Sequence, residues 1–274
     1  MRLLKSCQNK YLGLIGLLFF TFSKLSAQSI DESFEKLTHD EKLHLEYFFD
    51  KAIKQDHLGH VLFFASKPAS MSVIHMAENE QEFTEGWKVW TSKESLFQHP
   101  NFIIYQESIG NKIYIYFINK KTLLLQLSFK EEYLRKLFGE SFSIRGLIEQ
   151  LEHRTFSGYL RENQILLGIL LGYGIESSQK YKQYITGDQQ GAIKDLTGIL
   201  CIADEMIETI QREENVSFCY LKSKTQIHPV TFIGDPNSAE VKKLKENYTK
   251  ELEKIDRLYQ KKDLLRTCLN QLCN

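Results

Sequence analysis

Asn101-Phe-Ile-Ile-Tyr-Gln-Glu-Ser-Ile-Gly-Asn-Lys-Ile-Tyr-Ile-Tyr-Phe-Ile-Asn-Lys-Lys-Thr-Leu-Leu-Leu-Gln-Leu-Ser-Phe129 is the stretch of this chain that decides its fold class. It contains three β-rich runs, which are Phe102 to Gln106, Lys112 to Ile118 and Thr122 to Phe129. The segments between them are turn-like and too short for a parallel crossover. We therefore predict a three-stranded antiparallel meander.

Both faces of the middle run are apolar. Ile113, Ile115 and Phe117 occupy one face of the strand, and Tyr114, Tyr116 and Ile118 occupy the other. A strand that is apolar on both faces is expected to be covered on both sides. The sequence therefore predicts that other elements pack against each face of the sheet.

Helical patterns dominate on the N-terminal side of the meander. Ser29 to Gln55 is predicted to form one or two amphipathic helices, and Glu80 to Thr91 another helix. Between them, His60 to Lys67 is predicted to be a short buried strand that Pro68 ends.

From Lys130 onward the hydrophobic period is helical for most of the chain. The predicted helices are Glu131 to Phe138, Ser143 to Leu151, Arg161 to Tyr184, Gln190 to Arg212, and a final helix with a packing stripe from Val241 to Tyr259. Val216 to Leu221 is a predicted strand in this half. The expected fold is α+β, a small antiparallel meander packed against a predominantly helical body, with regions 28–130 and 131–274.

Residues 1–27 have the pattern of a signal peptide. Four cations flank an apolar run from Tyr11 to Phe22, and Leu25-Ser26-Ala27 is an imperfect small-residue cleavage site. The run is too short for a membrane-spanning helix, which needs about 20 apolar residues, so we expect cleavage and no stable transmembrane segment afterwards. An uncleaved amphipathic anchor or a buried helix is the alternative. We expect an exported protein, periplasmic or secreted.

The composition favours a folded protein that does not bind nucleic acid. Of the residues, 42% are hydrophobic and 12% aromatic, which is typical of a packed core rather than of disorder. The whole chain has 35 basic and 35 acidic residues, and the expected cleavage removes four basic ones and no acidic ones. A mildly acidic body offers no general surface for phosphate groups.

Four cysteines remain after the predicted signal peptide, which are Cys201, Cys219, Cys268 and Cys273. An even number in an exported chain is compatible with disulfides, and we favour Cys201 with Cys219 and Cys268 with Cys273. Spacing alone leaves the crossed pairings open. Four reduced cysteines, some of them in the core, are the alternative.

Trp87 and Trp90 are the candidate binding surface. With Phe97 and Phe102 they would form an exposed aromatic platform for a protein or glycan partner. Aromatic residues at helical spacing are also typical of a core, and that alternative stays open. The partner itself is unknown.

The most apolar internal run is Ile165 to Ile175, which contains Gly168, Gly172 and Gly174. Gly168 and Gly172 have the spacing that lets two helices approach closely, and Gly174 is expected to end the helix. We expect burial within the protein, with insertion into a membrane as the alternative.

The sequence nominates no catalytic residue, cofactor or metal site. No P-loop, GxGxxG or GxSxG motif occurs. The pairs His39 with His44 and His57 with His60 are the densest candidates for metal ligands, and we expect neither to bind a metal.

Five segments resemble an uncharacterised exported family of chlamydia-like intracellular bacteria. They are Gly59 to Ser70, Glu85 to Trp90, Asn101 to Tyr105, Ile118 to Lys121 and Leu166 to Gly174. The resemblance implies a bacterial envelope or a host-facing setting. It implies no known activity, so no functional residue is carried over.

The function expected from these features is a non-enzymatic binding or interaction protein of the periplasm or the exterior. A hydrolase of unfamiliar type that acts on envelope or host polymers is the alternative. A concave pocket that holds a carboxylate or a histidine with a perturbed pKa would favour the hydrolase.

Overall fold

The computed structural model describes residues 30–64, 66–76, 81–156, 158–186, 199–201, 207–213, 216–221, 227–233, 237–259 and 263–274. The predicted signal peptide lies outside these residues. Within them, no helix is both long enough and apolar enough to cross a membrane.

The helices that follow a helical segment at 30–35 are bounded as follows: α1 His39–Asp56, α2 Leu58–Phe63, α3 Gln81–Lys93, α4 Lys120–Leu127, α5 Glu131–Phe138, α6 Ile144–Glu152, α7 Gln164–Leu170, α8 Ile175–Thr186, α9 Ala239–Tyr259 and α10 Leu264–Cys273. The strands are β1 Ala69–His75, β2 Phe102–Ile109, β3 Lys112–Asn119, β4 Ile199–Cys201, β5 Ile207–Glu213, β6 Val216–Leu221 and β7 Thr231–Ile233. The chain is therefore α+β, as the sequence predicts.

The main sheet is antiparallel and has the strand order β1-β3-β2. Tyr116 on β3 lies opposite Tyr105 on β2 and Met71 on β1. Two of the three predicted strands are confirmed. The prediction of the third strand at Thr122 to Phe129 is wrong, because β1 takes that place.

Thr122 to Phe129 is helical because Asn119 caps it. The Asn119 side chain accepts a hydrogen bond from Thr122 N at 2.9 Å, which is the geometry of a helix N-cap. Leu123 and Leu127 then fall four residues apart, on one face of α4, and both are buried. The run of leucines has no period of its own, so the cap decides its structure.

The sheet lies between two hydrophobic cores. One face carries Ile74, Ile104, Ile115 and Phe117, which pack with buried residues of α1, α2, α3 and α10. The other face carries Tyr105, Tyr116 and Ile118, which pack with α4 to α7. The prediction of a sheet covered on both sides is confirmed. The second core draws residues from both sides of position 130, where the sequence analysis divides the chain.

Helices α1 and α3 cross in close contact on the first core. Thr38 and Glu41 form a capping box at the start of α1, with Thr38 N donating to Glu41 Oε2 at 2.8 Å and Glu41 N donating to Thr38 Oγ1 at 3.2 Å. A Cβ on Gly86 would lie 2.4 Å from His44 O and 2.6 Å from Phe48 Cβ. Glycine at position 86 is therefore what permits this crossing.

Two further predictions of secondary structure are wrong. His60 to Lys67 is helical up to Phe63 rather than a strand, and it continues the turn that starts at His57. Residues 190–212 are not one helix, because 199–201 and 207–213 are the strands β4 and β5. Helix α10 carries five buried residues of the first core, and the sequence analysis did not predict it.

Candidate functional site

A cluster of ionisable side chains lies beneath helix α9, and we call it the polar centre. It is formed by His57, His60, Ser66, Lys67, Tyr173, Tyr248 and Glu251. The side chains come from the α1–α2 junction, the segment before β1, the α7–α8 turn and α9. Buried charged and polar groups are retained at a cost in stability, which makes such a cluster a candidate site.

Lys67 is the most unusual member of the polar centre because its side chain is fully buried, with 0% exposure. Its Nζ donates to Leu171 O at 2.6 Å and lies 4.8 Å from the centre of the Tyr173 ring. Burial lowers the pKa of Lys67 to about 7. The amine is therefore close to half-protonated at neutral pH.

Tyr248 binds the same turn from the α9 side. Its hydroxyl donates to Gly172 O at 2.6 Å, and burial raises its pKa well above the ordinary value. Gly172 has φ +78, and a Cβ there would lie 2.5 Å from Tyr248 Oη. The turn therefore requires glycine at this position both for its backbone conformation and for the close approach of the tyrosine.

Glu251 is the shared acceptor of the polar centre. His60 Nδ1 donates to Glu251 Oε2 at 2.9 Å, and the Ser66 hydroxyl donates to the same oxygen. Burial lowers the pKa of His60, and the hydrogen bond to Glu251 opposes this effect only in part. Among the described residues, His60 Nε2 has no hydrogen-bond partner.

His57 joins α1 to α2 in a left-handed conformation, with φ 64. Its Nε2 donates to Pro229 O at 3.1 Å. Burial, followed by the charge of Lys67, lowers the pKa of His57 well below the ordinary value. Helix α1 therefore ends at His57, which is its C-cap residue.

The groups of the polar centre bond to one another and to main-chain carbonyls. Hydrolysis by a serine nucleophile with a histidine base requires a serine hydroxyl that donates to a histidine nitrogen. Here Ser66 and His60 both donate to Glu251, so His60 is not placed as the base of Ser66. What the arrangement does is fasten α9 and the α7–α8 turn to the rest of the fold.

A second polar group lies at the hairpin end of the main sheet, and we call it the tyrosine–arginine shelf. It is formed by Tyr105, Glu107, Tyr114, Tyr116, Arg154, Tyr159 and Arg161. Glu107 is buried and accepts hydrogen bonds from Leu160 N at 2.6 Å and Arg161 N at 3.4 Å. Burial raises the pKa of Glu107, although these two bonds oppose it.

The outer part of the shelf is open to solvent. Tyr159 is 42% exposed and Arg154 is also exposed, whereas Arg161 is half-buried. Burial, followed by the negative charge of Glu107, raises the pKa of Tyr105, and the charge of Arg154 opposes them. These side chains are therefore close enough to influence one another.

The predicted aromatic platform is not on the surface. Trp87 is 6% exposed and Trp90 is 0% exposed, and both belong to the first core. Trp87 Nε1 donates to Gln106 Oε1 at 3.1 Å, and the Trp90 ring stacks on Phe97 at 5.9 Å between ring centres. The core alternative is correct for this pair, because helical spacing directs both indoles towards the sheet.

The predicted disulfide between Cys268 and Cys273 is not formed, because both thiols are free. Both residues lie in α10, and side chains five positions apart on a helix point about 140° away from each other. The side chains of Cys201 and Cys219 lie outside the described part of the chain.

We expect a peptide map of the non-reduced protein to recover the tryptic fragment 267–274 with two alkylated thiols. Burial raises the pKa of Cys273 to about 11 and that of Cys268 further, so alkylation requires prior unfolding. A reduced sample is the control. Recovery of the fragment at the mass of an internal disulfide would contradict the free thiols of α10.

The apolar run Ile165 to Ile175 belongs to the second core, with residues 166–172 buried and its ends partly buried. Helix α7 ends at Leu170, so Gly172 lies in the turn and not on the helix. Gly168 does permit a close approach, since a Cβ there would lie 2.4 Å from Ser178 Oγ on α8. Glycine therefore serves helix packing at position 168 and turn geometry at position 172.

The histidine pair His57 and His60, weighed as metal ligands, has other contacts. The rings of His57 and His60 are 6.4 Å apart, and each ring donates to a different oxygen. Within the described part of the chain, no group of three or more His, Cys, Asp or Glu side chains is placed to hold a metal ion.

Comparison of the chain with models of known families, with curated proteins and with solved structures gives no match. The polar centre and the shelf are therefore interpreted from their geometry.

Sequence reasoning did not nominate Lys67, Tyr248 or Glu251. Lys67 falls just before a proline at the end of an apolar run, where a lysine would normally end the buried stretch. Tyr248 belongs to the predicted stripe of the last helix, so its burial was expected but its bond to Gly172 was not. Only the three-dimensional arrangement brings these residues together.

Proposed function

We propose that this chain is an exported bacterial interaction protein that binds a partner protein through the tyrosine–arginine shelf. The observation that carries the proposal is the exposure of Tyr159 beside Arg154 and Arg161. Tyrosine and arginine are the residue types that, together with tryptophan, most often dominate the energy of protein interfaces.

The construction of the shelf supports this assignment. Glu107 holds the main chain at Leu160 and Arg161, so the segment that presents Tyr159 is fixed to the sheet. A binding surface held by a rigid element loses less conformational entropy when a partner docks. Tyr105 and Tyr116, with ring centres 6.0 Å apart, form an aromatic floor behind it.

Export rests on the N-terminal pattern of charge and apolar residues, and the bacterial setting rests on the resemblance described above. The site of action is the periplasm or the exterior of the cell. A hydrolase is less well supported, because Ser66 donates to Glu251 and not to His60.

Photo-crosslinking in cells tests the proposal. A benzophenone amino acid at position 159 is expected to give a discrete adduct that contains a second polypeptide. Tyr47 on α1 is a matched control position, because its side chain has the same 42% exposure as Tyr159. Arg161→Ala is expected to reduce the adduct at position 159 by about tenfold or more, which is the effect of losing an interface hot spot.

Equal adducts at positions 159 and 47 would overturn the proposal, and so would the absence of an adduct at 159. An adduct at position 159 that contains carbohydrate and no second polypeptide would replace the protein partner by a glycan. Circular dichroism of each variant establishes that the fold is retained.

A further inference from the structure

Helix α9 is attached to the rest of the protein by a narrow apolar stripe and by polar contacts, and Leu244, Leu252 and Tyr259 of this stripe are only partly buried. It has 21 residues, and only Val241, Tyr248 and Ile255 are buried. Helix α10, with half that length, buries five residues. A helix with few buried apolar contacts opens at a low free energy unless other interactions hold it.

The contacts that hold the middle of α9 are those of the polar centre. Tyr248 donates to Gly172 O, and Glu251 accepts from His60 and from Ser66. The His60 ring also contacts the Tyr248 ring edge to face, with 5.4 Å between the ring centres.

We propose that the polar centre is a proton-operated latch, which holds α9 closed while His57 and His60 are neutral and releases it when they are protonated. Three basic groups share one buried region in which the described residues place one carboxylate, that of Glu251. Protonation of all three in the closed state would leave at least two positive charges without a counter-ion, and burial of such charges is very unfavourable.

The charged and titratable groups that face the latch come from every element around it. His57 lies at the α1–α2 junction, His60 lies on α2, and Lys67 lies in the segment before β1. Tyr173 comes from the α7–α8 turn and Tyr181 from α8, and His228 comes from the segment before β7. Helix α9 contributes Tyr248 and Glu251. Burial raises the pKa of Tyr173 to about 12 and that of Tyr248 as well, so neither tyrosine supplies a negative charge near neutral pH.

The direction of the switch follows from the pKa shifts. Burial lowers the pKa of each of the three basic groups, so the open state, with ordinary pKa values, binds more protons than the closed state. Lys67 takes up its proton on opening at pH values between about 7 and 10.5. His57 and His60 take up theirs below the ordinary histidine pKa of 6.5, so acidification favours release.

Hydrogen exchange of the full chain between about pH 6 and pH 5, corrected for the intrinsic rate, tests the latch. After that correction, backbone amides in peptides from α9 are expected to exchange about ten to a hundred times faster at pH 5 than at pH 6. The reason is that each proton taken up when α9 opens raises the opening equilibrium constant up to tenfold per pH unit. Peptides from α3 serve as the internal reference. The paired substitutions His57→Gln and His60→Gln are expected to remove the acid response of α9, while His153→Gln, at an exposed position, leaves it unchanged.

An equal rise in α3 and α9 would indicate general acid unfolding and would overturn the proposal. Persistence of the α9 response in the doubly substituted protein would do the same. If the double variant does not fold, His60→Gln alone decides the matter: a shallower pH response of α9 supports the latch, and an unchanged response contradicts it.

Discussion

Lys67→Met is expected to make the protein more stable at neutral and mildly acidic pH, by about 1 to 4 kcal/mol. The substitution removes a buried amine that becomes charged near pH 7 and replaces it with an apolar chain of similar length. The hydrogen bond to Leu171 O is lost, which costs about 1 kcal/mol. The removal of the buried charge outweighs this loss.

The same substitution is expected to flatten the pH dependence of stability. The pKa of Lys67 is about 7 in the folded protein, against the ordinary lysine value of 10.5 in the unfolded chain. Between these values the unfolded state binds more protons, so the free energy of unfolding of the wild-type protein rises with pH. The rise from pH 7 to 9.5 amounts to about 3 kcal/mol.

Urea unfolding at a series of pH values below 10 measures both effects. Lys88→Met is the control, because Lys88 is an exposed lysine that pairs with Glu85 at 2.7 Å. The control variant is expected to keep the wild-type profile. A Lys67→Met profile that rises as steeply as the wild type would mean that the pH dependence arises from other groups.

The sequence predicts the elements with a clear period and fails where a single contact decides. Helix α3 and the β2–β3 hairpin follow from hydrophobic periodicity and turn composition, and the structure confirms them. The leucine run after Asn119 has the composition of a strand and becomes a helix because the Asn119 side chain caps it. A short apolar run is compatible with both structures until its ends are fixed.

The strand β1 illustrates a second limit. Ala69 to His75 contains two serines and follows a proline, so its composition does not identify it as a strand of the main sheet. Its pairing with β3 brings together residues about 43 positions apart in the chain. Such long-range pairing depends on the whole fold and leaves little trace in the local sequence.

The candidate sites were the least predictable part. Trp87 and Trp90 are predicted as a binding surface because aromatic residues are typical of such surfaces, yet their helical spacing places them in the core. Lys67 and Glu251 are ordinary residue types in a chain rich in both, and they become unusual only when the fold places both in the polar centre. Burial and mutual contact are properties of the structure and have no local sequence signature.

Gly86→Ala is expected to destabilise the protein by about 3 kcal/mol, although alanine favours helix formation by about 1 kcal/mol over glycine. The new Cβ would lie 2.4 Å from His44 O and 2.6 Å from Phe48 Cβ, so α1 and α3 must separate or bend. That movement disturbs the stacking of the Phe48 ring on the Phe83 ring, whose centres are 4.9 Å apart. The midpoint of urea unfolding measures the loss.

Gly146→Ala is the matched control for this prediction. In the described part of the chain, the single atom that a Cβ on Gly146 would meet is Ser143 Oγ at 2.9 Å, the end of a small side chain at the start of α6. We expect a change within about 1 kcal/mol there, because a side chain can move where a main-chain carbonyl cannot. If both variants unfolded at the wild-type urea concentration, α1 and α3 would not cross as closely as described. An equal loss in both would show that the effect is not specific to that crossing.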